Sequence, residues 1–269
     1  MGEQIIMLGT GSAMATNCYN TCFCLMCNDE YFLVDAGGGN GILKQIEDAN
    51  INWRKLHNMF LTHSHTDHII GAVWIIRKIA SLMSERKYTG EFYIYCHDEV
   101  VKAINSICSL TLAPKFLRYV GKRIMVISVG DGDKIFTKNF DFVFFDIHSD
   151  KTKQFGLWAR LYSGKTLVCL GDEPYNEKCK KYVENTDYLM CEAFCLYSQK
   201  EIFKPYEKYH STVLDAARLA KSLNVKNLVL YHTEDKTLAT RKQTYTAEAE
   251  SVFDGNIYVP DDLEVIDIK

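Results

Sequence analysis

The chain has 269 residues, of which 47% are hydrophobic and 24% are charged. It can therefore bury a substantial core, and we expect a single domain over residues 1–269, because α/β folds of this length often form one domain. The formal net charge of −3 excludes a global attraction to nucleic acid or to an anionic membrane. Any phosphate recognition must come from a local site.

The predicted elements follow from short β-rich runs and from apolar residues at helical spacing. In chain order they are strands at 4–8 and 31–34, a helix at 42–49, a strand at 59–62, a helix at 69–83, a strand at 92–96, a helix at 98–110, strands at 124–128, 142–147, 157–162, 166–170 and 188–191, a helix at 211–223, a strand at 227–231 and a helix at 241–253. The mixture predicts an α/β (α+β) fold with at least one large mixed sheet.

Two features favour a cytoplasmic protein with no membrane partner. Residues 1–8 lack the basic region and the longer apolar segment of a secretory signal. The most apolar helical stretch, residues 69–83, contains Arg77 and Lys78 and is shorter than the roughly 18 apolar residues that a membrane span needs.

The ten cysteines are expected to be reduced thiols, because the chain is long enough to fold around a core without disulfides. Four of them cluster without the paired C-x-x-C spacing of a zinc ribbon; they are Cys18, Cys22, Cys24 and Cys27. We favour buried strand cysteines over a metal site, since a free cysteine behaves as a small hydrophobe.

Ligand-type side chains stand at or just past the C-terminal ends of predicted strands. They are His63, His148, Asp172 and His232. Loops that leave one edge of a sheet converge in space, and α/β proteins place their sites there. We expect a functional site formed by these loops.

The segment from His63 to His68 is the strongest chemical signal in the chain. The alternate residues His63, His65 and Asp67 direct three ligand-type side chains one way along an extended loop, and His68 then opens a helix. Imidazole and carboxylate together suit zinc or a similar divalent ion. A lone histidine would more often be a solvated or hydrogen-bonded structural residue, but four such residues in six positions favour a metal site.

Residues 62–68 resemble the T-H-x-H-x-D-H signature of the metallo-β-lactamase superfamily. The resemblance implies that family's αββα sandwich and two divalent ions, most often zinc, with manganese or iron as alternatives. One ion would take His63, His65 and His148, the other would take Asp67, His68 and His232, and Asp172 would bridge them. Such a pair of ions holds a hydroxide for hydrolysis.

Two later segments narrow the resemblance to ribonuclease Z. Residues 187–194, which include Glu192, are similar to its Glu-Ala strand, and residues 210–212 are similar to its His-Ser-Thr helix start. The resemblance implies that Glu192 orients His210 and that His210 protonates the leaving oxygen, beside the catalytic metal ligand Asp67. Taken alone, Glu192 would be interpreted as a surface carboxylate at a strand end, and His210 as a neighbour of a helix N-cap. The glycine-rich residues 8–13 and 34–39 also match, and we interpret them as tight turns that border the site.

Two departures argue against folded tRNA as the substrate. Only 24 residues separate His148 from Asp172, whereas ribonuclease Z inserts a tRNA-binding arm there. The acidic pair Glu234 and Asp235, which follows the last ligand, would repel a polyanion. A small phosphodiester or nucleotide is therefore the expected partner, with RNA still possible, and the resemblance alone implies a homodimer.

Alternating lysines and tyrosines at 197–209 suggest either a phosphate-binding lip or an ordinary solvated loop; the lysines are Lys200, Lys204 and Lys208. Two rival functions also stay open. One is hydrolysis of a thioester, lactone or β-lactam on the same fold, and the other is a non-catalytic or di-iron sensor protein.

Overall fold

The computed structural model describes residues 2–269, which form strands, α-helices and three short 3₁₀ turns. The strands are β1 Glu3–Gly9, β2 Cys22–Cys27, β3 Glu30–Val34, β4 Leu56–Leu61, β5 Phe92–Cys96, β6 Ile124–Ser128, β7 Lys134–Phe136, β8 Phe140–Asp146, β9 Phe155–Leu161, β10 Thr166–Cys169, β11 Tyr188–Glu192, β12 Asn227–Tyr231, β13 Asn256–Tyr258 and β14 Val265–Asp267. The helices are α1 Gly41–Asp48, α2 Thr66–Ser84, α3 Asp98–Thr111, α4 Pro114–Leu117, α5 Lys180–Val183, α6 Lys200–Phe203, α7 Val213–Ser222 and α8 Leu238–Glu250.

The chain divides into two compact units, each with its own seven-stranded sheet. The first unit comprises the N-terminal segment to Gly9 with Tyr19–Val129 and Leu263–Lys269, and the second comprises Thr10–Cys18 and Gly130–Asp262. The expectation of a single domain over residues 1–269 stays a prediction.

The sheet of the first unit has the order β14-β1-β2-β3-β4-β5-β6. Strands β14 to β3 pair antiparallel, and β3 to β6 pair parallel. Parallel neighbours need a crossover, which α1, α2 and α3 supply. Helix α2 buries an apolar stripe that includes Ile75, Ile76 and Ile79. Burial of each such side chain contributes about 1.5–3 kcal/mol, and it fixes the helix that carries Asp67 and His68.

The sheet of the second unit has the order β13-β12-β11-β10-β9-β8-β7. Strands β10 to β13 pair parallel, and β10 to β7 pair antiparallel. Helix α7 connects β11 to β12 and begins with a capping box, in which Thr212 and Asp215 each bond the other's backbone N–H. Thr212 is thus the N-cap of this helix.

All ten predicted strands and all five predicted helices are present, with shifted ends. Helix α2 begins at Thr66, three residues before the predicted start, so His68 lies within its first turn. Strands β2, β7, β13 and β14 were missed. Strand β2 holds Cys22, Cys24 and Cys27 in buried positions, as the interpretation of strand cysteines expects. Among residues 2–269, no helix has both the length and the apolarity required for a membrane span.

Candidate functional site

The first group of site residues lies where β4 leads into α2. His63 follows β4 by two residues, and His65 is the N-cap of α2 with extended backbone angles. Asp67 and His68 then occupy the first turn of the helix. His63, Asp67 and His68 are buried, and His65 is partly exposed. The short connection therefore places all four side chains close together.

Asp35, which follows β3, is the carboxylate that organises this group. Its Oδ1 accepts the Thr62 backbone N–H at 2.9 Å, and its Oδ2 accepts the Thr62 hydroxyl at 2.8 Å. The same Oδ2 accepts Nδ1–H of His68 at 2.7 Å. Asp35 is 3% exposed, so these bonds are formed away from water. A buried carboxylate that receives three hydrogen bonds fixes both the loop and the helix start.

Gly71 allows α2 to approach Asp35 closely. A Cβ at this position would lie 1.8 Å from the Ala36 carbonyl oxygen, which no side chain can tolerate. Gly71 also donates its backbone N–H to the Gly37 carbonyl at 2.9 Å. The glycine turn after β3 thus borders the site, as the sequence predicts, and it brings His68 within reach of Asp35.

The hydrogen bonds set the tautomers of two histidines. The single Thr62 hydroxyl proton goes to Asp35, so this hydroxyl accepts Nδ1–H of His63 at 2.9 Å. His63 then offers Nε2, which lies 2.8 Å from Nδ1 of His65. His68 likewise donates from Nδ1 and offers Nε2, which lies 3.4 Å from an oxygen of Asp67. An imidazole whose Nδ1–H is held by a carboxylate, as in His68, is a typical metal ligand, and the Thr62 hydroxyl fixes His63 in the same tautomer. The donor set therefore fits a divalent ion.

The second group of site residues begins with Asp172, which follows β10. The Gln154 side chain donates to Asp172 Oδ1 at 2.6 Å, and its oxygen accepts the Asp172 backbone N–H at 3.0 Å. Gly171 precedes it with φ +77°, and a Cβ there would lie 2.2 Å from the Gln154 oxygen. The reciprocal pair leaves Asp172 Oδ2 at 3.5 Å from Nε2 of His232.

His232 directly follows β12 and His148 follows β8 by two residues, so both lie at or just past strand ends, as expected. Both have a left-handed backbone with φ 57°. Asp35 has the same φ. Such angles cost a non-glycine residue about 1–3 kcal/mol, and they concentrate at functional sites. Ligand atoms of Asp172 and His232 lie within 4.8 Å of each other, whereas His148 does not join this pair within that distance, among the described residues.

His210 is held by packing and by one hydrogen bond. Its ring stacks on Phe194, with 5.1 Å between centroids and 5° between planes. Its Nδ1 donates to the Asp172 backbone carbonyl at 2.9 Å. Burial lowers the pKa of His210 to about 3, and the nearby His232 ring acts in the same direction. Because Nδ1 is engaged in this hydrogen bond, Nε2 is the ring nitrogen that remains for proton exchange with a ligand.

Glu192 lies beside His210 but bonds a different residue. Its Oε1 accepts the backbone N–H of Ser211 at 2.6 Å and also the Ser211 hydroxyl. Its Oε2 lies 3.7 Å from Nδ1 of His210, which is beyond hydrogen-bond distance. Burial raises the pKa of Glu192 well above its ordinary value, and the Ser211 bonds partly oppose this effect. Glu192 therefore fixes Ser211, the residue that follows His210, and does not hydrogen bond the His210 ring.

The acidic pair after His232 is structural. Asp235 accepts the backbone N–H groups of Thr16 at 2.7 Å and Asn17 at 3.0 Å. Glu234 accepts the Thr237 N–H at 3.2 Å, next to the start of α8. Both carboxylates are buried, and the Thr16 hydrogen bond is the largest of the effects that lower the pKa of Asp235. Asp235 also pairs with Lys236 at 3.1 Å, so the two carboxylates have a structural role that the sequence does not reveal.

Two site residues were missed at the level of sequence, Asp35 and Gln154. Asp35 stands in the glycine-rich segment that we interpreted only as a turn, although its position directly after a strand was an available signal. Gln154 has no local signal, since it contacts Asp172 from 18 positions away.

Known proteins resemble the chain over nearly its whole length. The family model described as anti-Pycsar protein Apyc1 matches residues 3–252. Ribonuclease Z of Thermococcus sibiricus is 26% identical, with 98% of this chain and 95% of that protein covered. The metallo-β-lactamase fold protein YhfI from Bacillus subtilis has a TM-score of 0.79 at 20% identity, with both chains covered completely. Human tRNase Z, short form, has a TM-score of 0.76 at 21% identity, with 99% of each chain covered.

These similarities confirm three expectations from the sequence. The fold class is α/β with the metallo-β-lactamase fold. The expected ribonuclease Z-like branch is found among the sequence relatives, and the enzyme class is a metal-dependent hydrolase. The chain therefore belongs to the family of the anti-Pycsar protein Apyc1.

Proposed function

We propose that the chain is a ribonuclease Z-like phosphodiesterase that hydrolyses a small phosphodiester or nucleotide. The observation that carries the proposal is the double use of Asp172. Its carboxylate lies 3.5 Å from the ligand-type nitrogen of His232, and its carbonyl orients His210 at 2.9 Å. One residue thus connects a metal-ligand group to an imidazole placed for proton transfer, which is the combination that a phosphodiester with a basic leaving group requires.

The proposed metal ligands are those that the family resemblance implies. They are His63, His65, Asp67, His68, His148, Asp172 and His232. Two divalent ions would occupy them, with zinc favoured by the nitrogen and carboxylate donors and manganese or iron as alternatives. When bound, such ions polarise a phosphoryl group and lower the pKa of water.

The protein's own side chains have separate tasks in this proposal. Asp35 and Thr62 hold the ligand histidines in one tautomer, and Gln154 holds the Asp172 carboxylate. For this step the bound phosphodiester anion stabilises His210 as the imidazolium, with a proton on each ring nitrogen. As hydroxide derived from water attacks phosphorus and the bond from phosphorus to the leaving oxygen breaks, Nε2 of His210 gives its proton to that oxygen and Nδ1 keeps its hydrogen bond to the Asp172 carbonyl. Phe194 and the Asp172 carbonyl keep the ring in place during the transfer.

A small substrate is supported by what lies between His148 and Asp172. This interval contains a short loop followed by the hairpin of β9 and β10, whose turn spans residues 162–165. The alignment with the Thermococcus relative extends over 303 positions although this chain has 269 residues, so that relative carries segments that this chain lacks. We therefore favour a cyclic nucleotide or another small diester over folded tRNA, with RNA as the remaining possibility because the relatives are named ribonuclease Z.

A substrate panel tests the proposal. Metal-loaded protein is assayed with bis-p-nitrophenyl phosphate, a 3′,5′-cyclic nucleotide, a precursor tRNA, a lactone and a thioester. We expect turnover of the two small diesters and little cleavage of the tRNA. Faster turnover of the lactone or thioester, with no diester hydrolysis, would assign the chain to the rival hydrolase class. A cytoplasmic location and a homodimeric state remain predictions.

A further inference from the structure

A cavity of about 370 Å³ opens in the second unit next to His210. Its volume falls within the range of about 300–1,000 Å³ that is typical of small-molecule sites. The lining combines cations with apolar and aromatic side chains and comes from separate parts of the chain; it consists of Ser12, Ala13, Met14, Lys151, Phe194, Glu207, Lys208, Tyr209 and His210. The cavity therefore joins the proton-transfer imidazole to surfaces that suit an anionic ligand.

Phe194 organises two functional groups of this cavity. Its ring stacks on His210 at 5.1 Å, and the Lys208 ammonium lies 4.7 Å from the same ring centroid. A cation over an aromatic face is attracted by the electrons of the ring, so Lys208 has a preferred position over the ring on which His210 stacks. This contact distinguishes Lys208 from an ordinary solvated lysine.

Lys151 supplies the second cation from the loop that precedes β9. It lines the same cavity, and its charge is among the effects that lower the pKa of His210, which indicates proximity to the imidazole. The single carboxylate among the lining residues, Glu207, pairs with Lys204 at 3.0 Å. That ion pair offsets the negative charge, so the two lysines dominate the electrostatics of the cavity.

The segment from Pro205 to His210 presents these side chains through a closed turn. His210 donates its backbone N–H to the Pro205 carbonyl at 2.9 Å, and Tyr209 has a left-handed backbone with φ 60°. Lys200 does not line the cavity, because its ammonium bonds the Tyr197 hydroxyl at 2.8 Å. Of the three lysines that suggested a phosphate-binding lip, only Lys208 thus faces the cavity.

We infer that Lys208 and Lys151, which line the same cavity as His210, form a cationic subsite for the nonbridging oxygens of the substrate phosphate, with Lys208 placed over the Phe194 ring. The inference rests on the proposed phosphodiesterase function and adds two residues that determine affinity. Lysine is a mobile point charge that binds phosphate in its ground state as well as in the transition state. Loss of either lysine should therefore raise KM more than it lowers kcat.

The test compares Lys208→Gln and Lys151→Gln with two matched variants. Lys200→Gln removes the same charge from the same segment, and Lys153→Gln removes it two residues from Lys151; Lys153 lies over the Phe155 ring and does not line the cavity. Steady-state hydrolysis of adenosine 3′,5′-cyclic monophosphate gives KM and kcat. Competitive inhibition by inorganic phosphate gives a second measure of anion affinity.

We expect Lys208→Gln and Lys151→Gln each to raise KM and the inhibition constant of phosphate roughly ten-fold, as loss of a charged hydrogen bond does, with kcat close to the parent value. The matched variants should behave like the parent. Added salt should weaken phosphate binding by the parent more than by a variant that carries both Lys208→Gln and Lys151→Gln, because salt screens the lysine charges. Unchanged KM in both cavity variants, or an equal rise in the matched variants, would overturn the inference.

A failure of the proposed function is distinguishable from a failure of this subsite. If the parent hydrolyses no phosphodiester, calorimetric binding of inorganic phosphate by the metal-loaded protein still compares the same variants. Weaker binding by the two cavity variants alone would support the subsite, and equal binding by all four variants would refute it.

Discussion

The His68 imidazole donates from Nδ1 to the Asp35 carboxylate at 2.7 Å, and both side chains are buried. This bond turns Nε2 of His68 toward Asp67, whose oxygen lies 3.4 Å away. Asp35 also accepts two hydrogen bonds from Thr62, whose hydroxyl in turn holds Nδ1 of His63. One carboxylate in the loop after β3 therefore fixes the geometry of both histidines. Asp35, which is not among the proposed ligands, thus shapes the candidate metal site.

Asp35→Asn tests this role. The amide keeps one of the two acceptor oxygens and lacks the charge that raises the basicity of the His68 ring, so metal affinity should fall about ten- to a hundred-fold. Competition with a chelator of known affinity measures the change. Asp254→Asn, which alters an exposed carboxylate paired with Lys221, is the matched control. Parent-like metal affinity of Asp35→Asn would show that Asp35 does not contribute to metal binding.

Metal stoichiometry is a second prediction. Purified protein should bind two divalent ions per chain, and a His63→Ala/Asp67→Ala double variant should lose them, because the changes remove one donor from the loop after β4 and one from the first turn of α2. Elemental analysis against the parent measures the content. Full loading of the double variant would show that these residues are not the ligands.

Asp172→Ala should abolish turnover and leave the fold largely intact. The change removes the carboxylate held by Gln154 but keeps the backbone carbonyl that orients His210. We expect a loss of roughly a hundred-fold or more in kcat at saturating metal, because metal contacts stabilise transition-state charge by several kcal/mol. Thermal unfolding checks the fold, and Asp141→Ala, which removes a surface pair with Arg160, is the control. Parent-like turnover would refute the assignment.

The sequence predicts the ligand-type residues of the site better than the residues that hold them in place by hydrogen bonds. The ligand-type residues are visible because several of them stand at strand ends or within the short segment 62–68. The bonds from Asp35 to His68 and from Gln154 to Asp172 join residues 33 and 18 positions apart, and no local pattern predicts such tertiary contacts. Glu192 shows the same limit, since the sequence predicts that it orients His210 but not that its hydrogen bonds go to Ser211.

The missed strands have different causes. Strands β7, β13 and β14 have three residues each, too few for an alternating pattern to stand out. Strand β2 has the sequence CFCLMC and is buried at nearly every position, so it lacks the alternation of a half-exposed strand.

A homodimer is a further prediction, carried over from related enzymes through the family resemblance. Light scattering at micromolar concentration should return twice the 30.9 kDa mass of one chain. A dilution series shows whether that state dissociates. A mass of one chain throughout the series would contradict the prediction.

Glu192→Gln should have an intermediate effect on catalysis. The amide oxygen can still accept from Ser211, so the turn that carries His210 is retained while the charge is lost. We expect a smaller decrease in kcat than on removal of the His210 ring, measured on a nucleoside phosphodiester. A decrease as large as that of His210→Ala would mean that Glu192 itself exchanges the proton.

The most direct test of the phosphodiesterase account is the leaving-group dependence of His210→Ala. If His210 protonates the departing oxygen, the variant should lose about a hundred-fold or more in kcat on a nucleoside or alkyl phosphodiester. It should keep most activity on bis-p-nitrophenyl phosphate, whose leaving group needs no proton, and it should retain its metals. An equal loss on both substrates, or no loss on either, would contradict the acid role and place thioester, lactone or β-lactam hydrolysis beside phosphodiester hydrolysis.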